Sequence, residues 1–387
     1  MLTAREFAYD GGNIVNLMGS ITLGLGGGDA GYGPLRLLEP DEVAAARNVL
    51  LLVIDGLGFE FLRRRGAGGV LHEHLRGSMS SVFPTTTAAA ITTFATGLAP
   101  RRHGLTGWFM WLKEFASITA VLPFRTRASG FPLPAAAAAR VFDQPAVVAR
   151  LPVQSYMVTH KRIADSLYSM HISKGAVRAA YSDLPDCFAQ LHRILSEGQS
   201  RQYIHAYWPD FDSLAHEHGV ESPEAGRLFE ALDRSVAAFL ESIRGTDTLV
   251  IITADHGFID TAPDRVISVE DHPVIADALT LPLCGEPRLA YCYVHPARAA
   301  RFQDYVQERL SEQCTLYESG EFLELGLFGP GAEHPGLRDR IGDYVLVMKD
   351  NYVIKDRMPG EHPFDQIGVH GGLSREELYV PLIVAKA

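Results

Sequence analysis

NVLLLVID, residues 48–55, is an unbroken apolar run closed by a carboxylate. A strand with one wetted face alternates polar and apolar residues. A run without alternation is buried on both sides, as strands are when helices cover both faces of a parallel sheet. Outward from it, four more runs read the same way: Gln202–Tyr207 (QYIHAY), Thr248–Thr253 (TLVIIT), Tyr344–Met348 (YVLVM) and Val380–Val384 (VPLIV). Helical patterns lie between them. The clearest opens at Ser222-Pro223, an N-cap followed by proline at the first helical position, and ends at Gly245. Its Leu228, Leu232, Val236, Leu240 and Ile243 recur near 3.6-residue spacing, the face that packs on a sheet. Alternating strand and helix predict an α/β fold, a doubly wound and mostly parallel sheet flanked by helices.

Two segments break this rhythm. Residues 107–200 carry an aromatic cluster (Trp108, Phe109, Trp111, Phe115), a Pro/Ala-rich stretch from Pro132 to Ala139 and little strand–helix alternation. Residues 260–365 carry Pro263, Pro273, Pro282, Pro287 and Pro296, with a separate helical pattern after Pro296. Both are expected to be insertions at the sheet's edge that form a cap, the first returning to the core before residue 201. Residues 1–106, 201–259 and 366–387 then make the catalytic core. Gly26–Gly31 satisfies G-x-G-x-x-G but follows no strand and opens no helix, so a loop is expected there. The sequence contains neither a P-loop nor a G-x-S-x-G signature.

The 387 residues include 35 basic and 46 acidic ones, a net charge of −11, which argues against nucleic-acid binding through clustered Lys and Arg. A hydrophobic content of 47% supports a sizeable core. The N-terminal stretch MLTAREFAYDGGNIVNL has no apolar core of signal-peptide length, and no run reaches ~18 uncharged apolar residues; a cytoplasmic protein with no membrane partner is expected. Cys187, Cys284, Cys292 and Cys314 form no C-x-x-C pair and read as reduced core thiols, so any zinc must be held by His and carboxylate.

Acids and imidazoles fall at strand ends. Asp55 directly follows NVLLLVI, Asp212 and His216 lie just past Tyr207, Asp255 and His256 directly follow TLVIIT, and His370 sits in the Gly-rich turn VHGGLS. In an open parallel sheet the crevice outside the carboxyl ends of the strands is where ligands bind. Each piece also has a local reading: a helix N-cap for Asp55, an exposed helical pair for Asp212 and His216, a tight turn for Asp255-His256-Gly257. Together, Asp and His without Cys are an ordinary ligand set for catalytic zinc or manganese, and six such ligands can divide into two three-residue sites. A nucleophile is available as well. GSMSSVF reads as a strand ending at Phe83-Pro84-Thr85-Thr86-Thr87, and Ala88–Thr96 as a short helix closed by Gly97. Thr87 then stands at a helix N-terminus, where free N–H groups favour an anion; the alternative makes Thr86 or Thr87 a simple N-cap.

At these residues the chain resembles the alkaline phosphatase superfamily, in its type I phosphodiesterase / nucleotide pyrophosphatase branch. The matching motifs are VIDGLG at 53–58, FPTTTAAAITTFATGLAPRRHG at 83–104, DSLAHEHG at 212–219, TADHG at 253–257 and VHGG at 369–372, in the family's order. The resemblance implies a hydrolase that cleaves phosphodiester or pyrophosphate bonds through a phospho-threonine on Thr87. It places one zinc on Asp55, Asp255 and His256, in contact with the Thr87 oxygen, and a second on Asp212, His216 and His370; manganese or another divalent metal is the alternative. The implied partner is a small phosphate ester, a nucleotide among the candidates.

Alternatives within the same chemistry are a phosphomonoesterase and a phosphonate hydrolase; a non-catalytic metal-binding relative is the alternative from another class. A monoesterase needs extra positive charge around its terminal phosphate, and no Arg adjoins Thr87. The sulfatase motif C/S-x-P-x-R is absent, and phosphate mutases of this kind use Ser at the nucleophile position. Where the family usually has Asn, three residues after the nucleophile, stands Ala90. A phosphoryl hydrogen-bond donor is therefore expected from the backbone after Thr87 or from the cap. His103 is expected to fix the loop after the nucleophile helix, His218 to point away from the site, and the aromatic cluster either to stack on a base or aryl group or to pack the cap.

Overall fold

The computed structural model describes residues 7–198, 200–361 and 366–387; the first six residues of the N-terminal stretch lie outside them. The main sheet has seven strands in the order β2 (Leu75–Ser80), β18 (Tyr379–Lys386), β9 (Thr248–Thr253), β1 (Asn48–Ile54), β8 (Gln202–Trp208), β6 (Gln154–His160) and β7 (Val177–Tyr181). From β9 to β7 all neighbours pair parallel. Helices complete the layers: in Pro223–Ser242 the Ser222 hydroxyl accepts from the Ala225 N–H at 3.1 Å, and Phe229, Leu232, Val236 and Phe239 are buried in the main core. This is the doubly wound, mostly parallel α/β architecture expected.

A second sheet of seven strands has the order β14 (Cys314–Glu318), β15 (Tyr344–Met348), β13 (Leu289–Cys292), β12 (Cys284–Glu286), β3 (Phe109–Leu112), β4 (Ser117–Ala120) and β5 (Arg125–Thr126). Strands from two distant stretches join at β3 and β12, through Phe109 opposite Gly285. Two short ribbons remain, antiparallel β10 (Ile259–Asp260) with β17 (Gly368–Val369), and parallel β11 (Val266–Ser268) with β16 (Val353–Lys355).

Two apolar runs lie differently from the parallel expectation. YVLVM at 344–348 is β15, antiparallel to both neighbours in the second sheet. Val345 and Val347 join a cluster with Phe83 and Phe322, while Tyr344, Leu346 and Met348 join another with Phe302 and Val306. Unbroken apolarity reports burial on two faces, which a covered antiparallel strand satisfies equally well. Val380–Val384 lies in β18, antiparallel to β9 and β2. Conversely, β6 and β7 supply alternation where little was expected. β6 begins Gln154-Ser155, and β7 is an edge strand with Val177, Arg178 and Ala180 exposed, so neither announces itself by apolarity.

Gly26–Gly31 is in neither helix nor strand, and all four cysteines are buried free thiols. Among the described residues no helix is long and apolar enough to cross a membrane.

Candidate active site

β9, β1 and β8 are neighbours in register, with Val53 beside Thr253 and Ile54 beside Trp208, so the residues after them emerge at one edge. Asp55 follows β1, its N–H donating to the Trp208 carbonyl at 3.0 Å. Asp255 and His256 follow β9, and Asp255 Oδ1 accepts the N–H groups of Gly56 and His256 at 3.0 Å each. Gly257 is required there, because a Cβ would lie 1.9 Å from the Glu376 carbonyl oxygen. Past β8 runs the helix Asp210–His218, which sets Asp212 and His216 one turn apart on a shared face. His370 directly follows β17.

The six side chains gather as two trios. The ligand atoms of Asp55, Asp255 and His256 lie within 4.8 Å of one another, as do those of Asp212, His216 and His370. His256 Nε2 is 3.4 Å from Asp55 Oδ1 and 3.5 Å from Asp255 Oδ2. His216 Nε2 and His370 Nε2 are 3.4 and 3.8 Å from Asp212 Oδ1. The His256 and His370 rings stack at 3.8 Å, so the trios adjoin. Each imidazole faces a carbonyl with its other nitrogen: His216 Nδ1 to Gly368 at 2.8 Å, His256 Nδ1 to Gly257 and His370 Nδ1 to Thr85 at 3.1 Å each. That network assigns the proton to Nδ1 and leaves each Nε2 lone pair facing a carboxylate.

Each aspartate keeps one buried oxygen that accepts no hydrogen bond among the described residues: Asp55 Oδ1, Asp212 Oδ1 and Asp255 Oδ2. They are the oxygens nearest the imidazole Nε2 atoms. A cavity made of acceptors alone is costly to bury, and the titration of its members reflects this. Desolvation, then the charges of Asp212 and Asp255, push the Asp55 carboxyl well above the usual range. Asp212 is also raised, chiefly by burial. Burial and then the neighbouring imidazoles hold His370 well below its ordinary value. A divalent cation opposes the raised Asp55 and Asp212 carboxyls and favours the neutral His370 that burial already produces, and the ligand set suits it.

Thr87 is the first residue of the helix Thr87–Thr96, which Gly97 closes at φ +70°. Its hydroxyl donates to His256 Nε2 at 3.1 Å. Thr86 holds the N-cap position, but its hydroxyl donates to Glu286 and accepts from no first-turn N–H, so the amides at the helix start have no side-chain cap.

The type I phosphodiesterase / nucleotide pyrophosphatase family model matches residues 49–373. The chain belongs to this family. No curated protein matches the sequence. Among solved structures, murine ectonucleotide pyrophosphatase / phosphodiesterase 5 is similar with a TM-score of 0.68 at 16% identity, over 86% of this chain and 87% of that one. An inactive variant of that protein has been solved in complex with AMP. Phosphonoacetate hydrolase from Sinorhizobium meliloti, in complex with phosphonoacetate, is similar with a TM-score of 0.63 at 19% identity, over 88% and 90% of the two chains.

In this member of the phosphodiesterase family, Ala90 is fully buried, about one helical turn after Thr87, and its methyl group supplies no hydrogen-bond donor. His103 is buried, held down to about 3 by desolvation, with Nε2 3.2 Å from Thr93 Oγ1 and Nδ1 accepting from the Leu105 N–H. It pins the loop after the helix Thr87–Thr96. His218 is exposed beside Glu217.

Two polar residues escaped the sequence motifs. Tyr207, in β8, donates its hydroxyl to Asp55 Oδ2, and burial among three aspartates keeps it protonated. Glu286, in β12, accepts from the Thr86 hydroxyl and, at 2.8 Å, from the Trp108 N–H. Burial lifts its carboxyl to about 7 against the pull of those two donors. The cavity that Glu286 borders, about 810 Å³, also reaches Thr87, Asp212, His216 and His370. The aromatic cluster divides: Trp108 and Phe109 line the cavity, Trp111 packs on Tyr293, and Phe115 packs against the main core.

Proposed function

We propose that the chain is a metal-dependent hydrolase of phosphodiester or pyrophosphate bonds that works through a phospho-threonine on Thr87. The observation that carries this is the pairing of three stranded carboxylate oxygens with three inward Nε2 atoms, next to a threonine hydroxyl at an uncapped helix start. Asp55, Asp255 and His256 would hold one divalent cation, and Asp212, His216 and His370 a second, with zinc the first choice. When bound, such a pair supplies Lewis acidity that lowers the pKa of an attacking hydroxyl and stabilises a leaving oxygen.

The chain's own groups do the rest. Thr87 Oγ1 forms the new bond to phosphorus as the bond to the leaving alkoxide or phosphate breaks, and the helix-start N–H groups face the anionic phosphoryl oxygens. Without a cation His256 Nε2 accepts the Thr87 hydrogen; with a cation held on that nitrogen, the Thr87 proton would pass to solvent as the hydroxyl attacks. Water then cleaves the phospho-threonine and restores the hydroxyl. The three histidine–carbonyl bonds and Tyr207 fix ligand orientation through the cycle.

The decisive experiment measures hydrolysis of bis-p-nitrophenyl phosphate and p-nitrophenyl phosphate with and without zinc. Thr87→Ala should abolish zinc-dependent turnover and keep the metal; substantial residual turnover rejects Thr87 as nucleophile. Phosphonoacetate is included because of the structural likeness to its hydrolase.

A further inference from the structure

Glu286 belongs to neither trio, and the chemistry above assigns it no part. β12 carries it from the second sheet to the nucleophile turn, where one oxygen, Oε1, takes both the Thr86 hydroxyl and the Trp108 N–H. Its other oxygen accepts no hydrogen bond among the described residues. Its stem lies against the turn after His370: a Cβ on Gly371, at φ +106°, would come within 2.8 Å of Glu286 Cβ and 3.0 Å of Cγ. The carboxylate therefore stands between the residue preceding Thr87 and the residue following His370, on the wall of the cavity that holds the nucleophile.

We propose that Glu286 is a specificity-determining residue that favours singly charged phosphodiesters over doubly charged phosphomonoesters. This rests on the two-cation phosphoesterase reading. Asp55, Asp212 and Asp255 with two divalent cations sum to one positive charge, and Glu286 cancels it. Counted over these groups alone, a diester meets no net charge, whereas a monoester dianion must bring a second negative charge close to the Glu286 carboxylate. Arg127, which lines the same cavity, does not compensate. Its guanidinium is held by Asp356 and Glu361 at 2.8 Å each and by the Leu283 carbonyl, and it lies over the Phe109 ring. The nearby cations favour the ionised form of Glu286, as do its two hydrogen-bond donors.

Glu286→Gln tests charge apart from shape, because an amide oxygen can still accept from Thr86 and Trp108. The zinc-loaded variant should raise the ratio of kcat/KM for p-nitrophenyl phosphate over bis-p-nitrophenyl phosphate by about tenfold, the scale of one unit-charge interaction at several ångströms. In calorimetry at alkaline pH, where inorganic phosphate is mostly the dianion, phosphate should bind the variant about tenfold more tightly. A purely structural role for Glu286 would depress both esters together and leave the ratio where it was. An unchanged ratio or an unchanged phosphate affinity overturns the proposal. The two readings fail separately: wild-type enzyme inactive on both esters refutes the phosphoesterase reading, while the phosphate titration still reports on Glu286.

Discussion

Tyr207→Phe removes one oxygen atom and leaves the ring in place at the end of β8. In the wild type, that hydroxyl is the side-chain donor to Asp55 Oδ2, and Asp55 Oδ1 already lacks a donor. The variant leaves the Asp55 side chain with no hydrogen-bond donor among the described residues, in a site where burial and two other aspartates already disfavour its charge. A hydrogen bond to a charged group contributes about 1.5–3 kcal/mol, which at about 1.4 kcal/mol per tenfold is about 10–100-fold in affinity for a cation at that carboxylate. The loss should fall on the trio of Asp55, Asp255 and His256 and spare Asp212, His216 and His370, which Tyr207 does not touch. Zinc titrated against a chromophoric chelator should therefore resolve one weakened site and one of wild-type affinity, with total metal read by mass spectrometry. Two sites weakened alike, or neither, would refute the assignment of Tyr207 to one trio.

Three more outcomes follow from buried charge. Zinc affinity should fall as pH drops from neutral toward acid at a higher pH than ordinary aspartates would dictate. The Asp55 and Asp212 carboxyls are raised and must lose their protons to bind; chelator competition across that range checks it. Arg288→Ala should destabilise the fold by about 3–5 kcal/mol, because it leaves Glu377 as a buried charge without its partner; denaturant unfolding measures it. His205 is held down to about 4 by burial, so below about 6.5 the unfolded chain takes up a proton that the folded chain refuses. Stability from this residue is present at neutral pH and lost as pH falls, about 2 kcal/mol by pH ~5. His205→Leu should flatten the wild-type pH dependence by that amount in parallel melts; identical slopes would count against it.

What the chain discloses before folding depends on whether a residue's signal is local. NVLLLVI and TLVIIT are strands because their apolarity is unbroken, and the acids after them sit where strand ends deliver them. YVLVM sends the same signal from a different sheet, because burial on two faces does not encode strand direction. β6 stays hidden behind Gln154 and Ser155. Tyr207 had a weak cue, a hydroxyl-bearing residue near the carboxyl end of the strand leading to Asp212. Glu286 had none, since its link to Thr86 spans 200 residues and two sheets. Ala90, three residues after Thr87 in the same helix, is buried and carries no polar group, so its place in the motif is legible but a donor role is not.

The second sheet closes by joining Phe109 to Gly285, and this has a consequence for synthesis on the ribosome. At about 5–20 residues per second, β3 emerges roughly ten to thirty-five seconds before β12 exists to pair with it. During that interval the hairpin β3–β4 presents an open edge to any other nascent or misfolded chain, which makes it the stretch that a holding chaperone has most reason to shield.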